Sequence, residues 1–419
     1  MSMESASSQG PAASVRAEGG EEVLSLLAAA RADADRTVDL RRRLHRHPEI
    51  GLQLPRTQAT VADELAALPV ELSAGTSTTS LVGVLRGARP GPTYLLRADM
   101  DALPVHEDTG LPFASEVPGA MHACGHDLHV AMLLGAARLL ADRRDEIAGQ
   151  VVLMLQPGEE GFHGARYMLE EGLLDAVPGA PVAGAFALHV FANQPSGVVS
   201  VRPGPMMAAA DHWEVTVHGR GGHASMPHAA ADPVPVAAEI VLALQSMVTR
   251  RVPVFDPAVV TVANLAAGST DNVIPDTAYL QGTIRTLSPE RRADVVASVR
   301  RVATHVAAAH GMEVGFVHRE GYPVTTNDPG VAARVRELAG ELLGRECSVA
   351  ADEPLMGAED FAYVLHRVPG AMAFLGACPP GADPATAAGN HSNLVVFDEA
   401  ALPAGAALYA AMALDALRD

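Results

Sequence analysis

Apolar runs and amphipathic stretches alternate in regular order through the first half of the chain. "TYLLRAD" (93–99), "VVLMLQ" (151–156) and "GAFALHV" (184–190) are short, nearly continuous apolar segments, the pattern of strands buried on both faces. Helical periodicity fills the intervals at 126–146 and 163–173. Upstream, residues 21–46 read as a helix stopped near Pro48, and "PRTQATVADELAAL" as a second with Pro55 near its start. Apolar strands alternating with helices predict an α/β domain, a mainly parallel mixed sheet between helices.

The pattern changes near residue 203. "HWEVTVHG" alternates polar and apolar positions, as a strand with one wet face does. A helix at about 232–251, the strands "AVVTVANL" and "AYLQGTIRT", a helix at 288–310 and the strand "MEVGFVHREG" follow. That is the order of a ferredoxin-like α+β motif, so 203–323 reads as a smaller domain inserted into the first. From 324 to 419 helix and strand alternate again: "GAEDFAYVLHRV" as helix, "AMAFLGAC" as strand, 399–417 as a terminal helix. The large domain is therefore expected at 21–202 and 324–419. Residues 1–20 are small and polar and read as a disordered tail.

Composition narrows the function. With 419 residues and 48% hydrophobic content, two packed domains are within reach. A net charge of −19 without a dense basic run argues against a nucleic-acid partner. No apolar stretch is long enough for a membrane span, and the N-terminus has no run of signal-peptide type. Three cysteines, Cys124, Cys347 and Cys378, make no disulfide framework, which suits a reducing cytoplasm.

The chemistry gathers where strands end. Ligands of open parallel sheets bind beyond the carboxyl ends of the strands. "TYLLRAD" runs into Asp99 and Asp101, "VVLMLQ" into Glu159 and Glu160, and "GAFALHV" ends in His189. His391 lies in "GNHSN" after "AMAFLGAC", and Cys124 and His126 lie in "MHACGHDLH". Singly, each has a plain reading: a helix cap, surface charge, a core histidine. Jointly they predict a shared metal site. Thiolate, imidazole and carboxylate suit zinc, with manganese, cobalt or nickel possible. The number of donors exceeds one tetrahedral site and suggests two divalent ions. A zinc finger would need repeated Cys/His pairs, which are missing. A Cys–His nucleophile would leave the two glutamates and two of the histidines unexplained.

"RRRLHRHPE", "RADMDALPV", "MHACGHDLH", "QPGEE", "ALHV", "GRGGHASMPH", "NVIPD", "GTIRT", "GAEDF" and "NHSN" follow one another along the chain. In that order they resemble the aminoacylase and carboxypeptidase metallohydrolases. The branch they are most similar to holds the hippurate hydrolases, indole-acetyl-amino-acid hydrolases and bacterial N-acyl-amino-acid amidohydrolases. The resemblance implies a zinc-peptidase-like catalytic domain with a lid domain that also dimerises. It implies metal ligands Cys124, His126, Glu160, His189 and His391, a general base at Glu159, and a ligand-orienting aspartate at Asp101. Asp99 stands where the dinuclear peptidases carry a histidine ligand. In the lid it implies that His223 reaches a catalytic centre, often the partner subunit's, and that Asn272 and Arg285 hold a substrate carboxylate. The plain readings there are a flexible turn at "GGH" and a strand-surface ion pair for Arg285.

The activity so implied is hydrolysis of the amide bond of an N-acyl amino acid to a carboxylic acid and a free amino acid. The nearest alternative is a dipeptidase or carboxypeptidase using the same groups; a non-catalytic metal-dependent binding protein would have no need of Glu159.

Overall fold

The computed structural model describes residues 23–418; the tail expected at 1–20 lies outside them. The chain divides into two compact units, one of residues up to 204 with 327–352 and 364–419, the other of 205–326 with 353–363. The sequence reading keeps all of 324–419 with the large domain, whereas 353–363 pack with the smaller unit. Backbone pairing ties them there: the Ala208 N–H donates to the Leu355 and Gly357 carbonyls at 3.0 and 2.9 Å.

In the large unit, β1 (Val70–Ala74), β2 (Leu81–Arg86), β3 (Arg89–Asp99), β4 (Ala148–Gln156) and β5 (Val182–Phe191) lie in the order β1-β2-β4-β3-β5. Strands Gly370–Gly376, Val199–Val201 and Ser348–Ala350 complete this sheet of eight. β4, β3, β5 and Gly370–Gly376 pair in parallel, while the β1–β2 hairpin adds antiparallel edges. β4 and the inner part of β3 are buried throughout, which is why both read as near-continuous apolar runs.

The helices His126–Asp142 and Leu402–Ala416 are buried over almost their whole length. Small residues let them approach: a Cβ at Gly405 would come within 2.0 Å of Met132 Sδ. Tyr409 on the second helix donates to the Arg97 carbonyl at 2.7 Å and accepts from the Leu188 N–H at 2.9 Å. It pins the inner ends of β3 and β5, just below the residues those strands deliver. Three expected helices are shorter than their patterns. The first is interrupted at Asp33, the 126–146 helix ends at Asp142, and "GAEDFAYVLHRV" is helical only over Ala362–Leu365. In the last, the Glu359 side chain accepts from the Phe361 N–H at 2.9 Å, and this local bond competes with a helical turn.

In the smaller unit, strands Ala209–His218, Ala258–Ala267, Thr277–Thr286 and Glu313–Glu320 form an antiparallel sheet. The chain order is strand, helix, strand, strand, helix, strand, with Ala209–His218 and Thr277–Thr286 in the middle of the sheet. Helices Pro233–Arg251 and Pro289–Ala309 begin with Asp232 and Ser288 caps and bury Val236, Ile240, Leu244, Val295 and Val299 against Trp213, Val215 and Leu280.

Candidate metal centre

Four chain segments of the large unit converge beyond the ends of β3, β4 and β5. Gly125, between Cys124 and His126, caps the His126–Asp142 helix in the left-handed region at φ 88°. A Cβ there would lie 2.4 Å from Val190 Cγ2. Glycine thus turns the chain tightly enough to set the thiol and the imidazole side by side, against the end of β5.

The Cys124 thiol lies 3.4 Å from His189 Nε2 and 3.3 Å from His391 Nε2. Glu160 Oε1 is 3.3 Å from His391 Nε2 and 3.9 Å from His126 Nε2. Cys124, His126 and His189 form one group of donors within 4.8 Å of one another, and Cys124, Glu160 and His391 a second. The two groups share Cys124, and together they offer donors that could hold two neighbouring divalent ions. His189 Nδ1–H donates to the Val190 carbonyl at 2.9 Å, which leaves Nε2 with its lone pair toward the thiol. His126 is fully buried, and among the described residues neither of its ring nitrogens has an aligned hydrogen-bond partner. A buried imidazole without an aligned hydrogen bond is costly, and a cation held with Cys124 and His189 would offset that cost. The donor set therefore fits divalent metal.

The electrostatics agree. Burial pushes the Cys124 thiol up. The hydrogen bonds to Cys124 and Glu160 raise His391 to about 10. Burial would lower His126, yet Asp99 and Cys124 outweigh it and hold the imidazole well above its ordinary value. Protons gather where anionic donors crowd together, as expected of a cavity built around positive charge.

Asp101 accepts from the Glu159 and Glu160 N–H groups at 3.0 Å each and lies 3.5 Å from His126 Nδ1. One carboxylate thereby sets the direction of both glutamates and faces the outer nitrogen of an imidazole. Glu159 is 6% exposed and lies with His126 and Glu160 in a third group of donors within 4.8 Å. Asp99, which follows the same strand, is engaged on both sides: Arg97 Nη1 donates to it at 2.7 Å and His129 Nδ1 at 2.5 Å. His129 Nε2 in turn accepts the Val190 N–H at 2.9 Å. Both ring nitrogens are used, so His129 braces the end of β5 from behind the donors. The sequence reading did not single out His129, Arg97 or Asn390. The four-residue spacing of His129 from Cys124's neighbour Gly125, one helical turn, was the available signal.

The three remaining candidates lie in the smaller unit. His223 and Asn272 are neighbours there: Gly222–His223 pairs with Val273–Ile274, and the Ala224 N–H donates to the Asn272 carbonyl at 3.1 Å. His223 Nδ1 accepts from the Ser225 N–H at 3.2 Å. Arg285 is the next-to-last residue of its strand, Thr277–Thr286, opposite Ala210, and burial lowers its guanidinium from its ordinary value. Among the described residues it makes no hydrogen bond or ion pair, so the plain reading as a strand-surface ion pair does not describe it.

A family model, Peptidase family M20/M25/M40, matches residues 95–415. Thermostable carboxypeptidase 1 of Saccharolobus solfataricus is 39% identical over 91% of this chain and 95% of its own length. N-acetylcysteine deacetylase of Bacillus subtilis is 39% identical over 81% of this chain and 88% of its own. The crystal structure of the Bacillus subtilis YXEP protein, described as a dinuclear metal binding peptidase from the M20 family, superposes with a TM-score of 0.79 at 33% identity, covering 92% of this chain and 99% of that one. With its donors gathered at the strand ends and the family model spanning most of its length, this chain belongs to Peptidase family M20/M25/M40 and is a metal-dependent hydrolase of amide bonds.

Proposed function

We propose that the protein hydrolyses N-acyl amino acids of the hippurate or N-acetyl-amino-acid type, releasing a carboxylic acid and a free amino acid. The observation that carries this reading is the pairing of a converging donor set, Cys124, His126, Glu160, His189 and His391, with an adjacent glutamate, Glu159, that Asp101 directs. Divalent ions in that set, zinc first and manganese, cobalt or nickel as alternatives, would acidify water and polarise the scissile carbonyl. Glu159 takes the proton from the attacking water and returns it to the leaving nitrogen. His223 donates to the oxygen of the tetrahedral adduct. Arg285 makes a two-pronged contact with the free carboxylate of the amino acid, and Asn272 assists. Two features of the smaller unit support its role as a lid and as the dimer surface. Ala258–Ala267 is an edge strand of the sheet, with Val259 and Leu265 exposed, and Val254 and Phe255 stand exposed just before it. A cytoplasmic location suits the three free cysteines.

The alternative is a carboxypeptidase acting on peptides, and the Saccharolobus relative keeps it in view. Turnover of N-acetyl, N-benzoyl and long-chain acyl amino acids beside dipeptides separates the two. Acyl amino acids should be cleaved well and dipeptides poorly; the reverse order would replace the proposal with the peptidase reading. In the same panel, Arg285→Ala should cost roughly 2–4 kcal/mol in kcat/KM on acids and little on the matching amides. An equal loss on both would remove Arg285 from carboxylate recognition.

A further inference from the structure

One side chain joins three of the segments that carry the donors. Asn390, directly before His391, donates through Nδ2 to the Cys124 carbonyl at 3.1 Å and to the Val190 carbonyl at 2.9 Å. Its Oδ1 accepts the Ala192 N–H at 3.1 Å. Both amide hydrogens and the carbonyl are used, so the orientation is forced: a flipped amide would set its oxygen against two carbonyls and its nitrogen against an N–H. The Val190 carbonyl is the one that also receives His189 Nδ1–H. A single carboxamide thus spans the Cys124 loop, the end of β5 beside His189, and the loop bearing His391.

The backbone shows why such a brace is needed. His391 adopts φ 70°, a left-handed conformation uncommon for non-glycine residues, though histidine enters it more readily than most. Its own N–H donates to the Ala123 carbonyl at 2.8 Å, and Asn390 supplies the remaining restraint from the adjoining residue. Groups one bond removed from metal ligands set ligand direction and so affinity.

We infer that Asn390 is a positioning residue, an amide clasp that holds Cys124, His189 and His391 in mutual register before metal arrives. This rests on the metal reading of the site. The test uses the full-length protein, stripped by chelator, as wild type, Asn390→Asp and Asn390→Ala. Aspartate keeps the shape but loses both donors; alanine removes any effect of added charge. Zinc affinity is measured by competition with a chromophoric chelator, the cobalt(II) form is examined for its thiolate charge-transfer band, and thermal unfolding is followed on the metal-free proteins. Both variants should bind zinc about 10–100-fold more weakly and show a weakened or shifted cobalt band. Their metal-free melting should stay close to wild type. Wild-type affinity and spectrum in both variants, whether or not melting falls, would overturn the clasp and leave the metal site standing. A wild type that takes up neither ion would overturn the metal reading and the clasp with it.

Discussion

At the scale of single residues, adjacency separates roles. Glu159 and Glu160 are neighbours, their N–H groups held by the two oxygens of Asp101, and Glu160 has an oxygen within ion-pair reach of both His126 and His391. Glu159→Gln should keep its metal and lose nearly all of kcat, because an amide accepts no proton. Glu160→Gln should lose metal, as judged by elemental analysis. An active Glu159→Gln, or a Glu160→Gln with full metal content, would reverse the assignment. Both glutamates were legible in the sequence, because "QPGEE" follows an apolar strand. Asp99 was visible too, but not its engagement: Arg97 and His129, two and thirty residues away, hold its carboxylate.

At the scale of elements, the start of the His126–Asp142 helix carries the sharpest constraint. Gly125 combines φ 88° with no room for a side chain: a Cβ would lie 2.4 Å from Val190 Cγ2 and 3.1 Å from Phe397 Cζ. Gly125→Ala must either strain the turn or push β5 away, moving Cys124 and His189 apart. The expected cost is at least about 1 kcal/mol in thermal or denaturant unfolding, together with reduced zinc content. Normal stability and full metal loading would show that the turn tolerates a side chain. Local sequence spoke well for elements with a strong pattern, such as the continuous apolar run of β4 and the periodic Pro289–Ala309 helix. It missed the β1–β2 hairpin, whose first strand is half exposed and so carries little apolar pattern. It overextended "GAEDFAYVLHRV", where the Glu359 side chain takes a backbone N–H that a helix would have used.

At the scale of the whole molecule, the proposed lid and dimer can be tested by complementation. His223→Ala and Glu159→Gln homodimers should each be nearly inactive. If His223 serves the partner's centre, a mixed dimer has one site with both lesions and one with neither. Subunit exchange should then restore up to about half of wild-type activity per heterodimer, the expectation for a two-fold assembly. No recovery in proven heterodimers would assign His223 to its own subunit, and a fully active monomer by light scattering would remove the shared site.

What the sequence determined by itself is what local chemistry controls. The two-residue and near-four-residue periods place strands and helices, and the end of each strand marks where donors stand, because a parallel sheet presents all those ends on one side. Donor types followed from the residues that stand at those ends. Tertiary structure decided which donors meet. Cys124 and His391 are 267 positions apart, and their 3.3 Å approach joins segments that the pairing of Gly370–Gly376 with β5 brings to one place, where Asn390 and the His391 N–H bond back to the Cys124 loop. The same closure brought His129 to Asp99, and gave Asn390 three backbone groups to join. Those roles arise from chain segments brought together by burial of the shared core, and no local pattern encodes them.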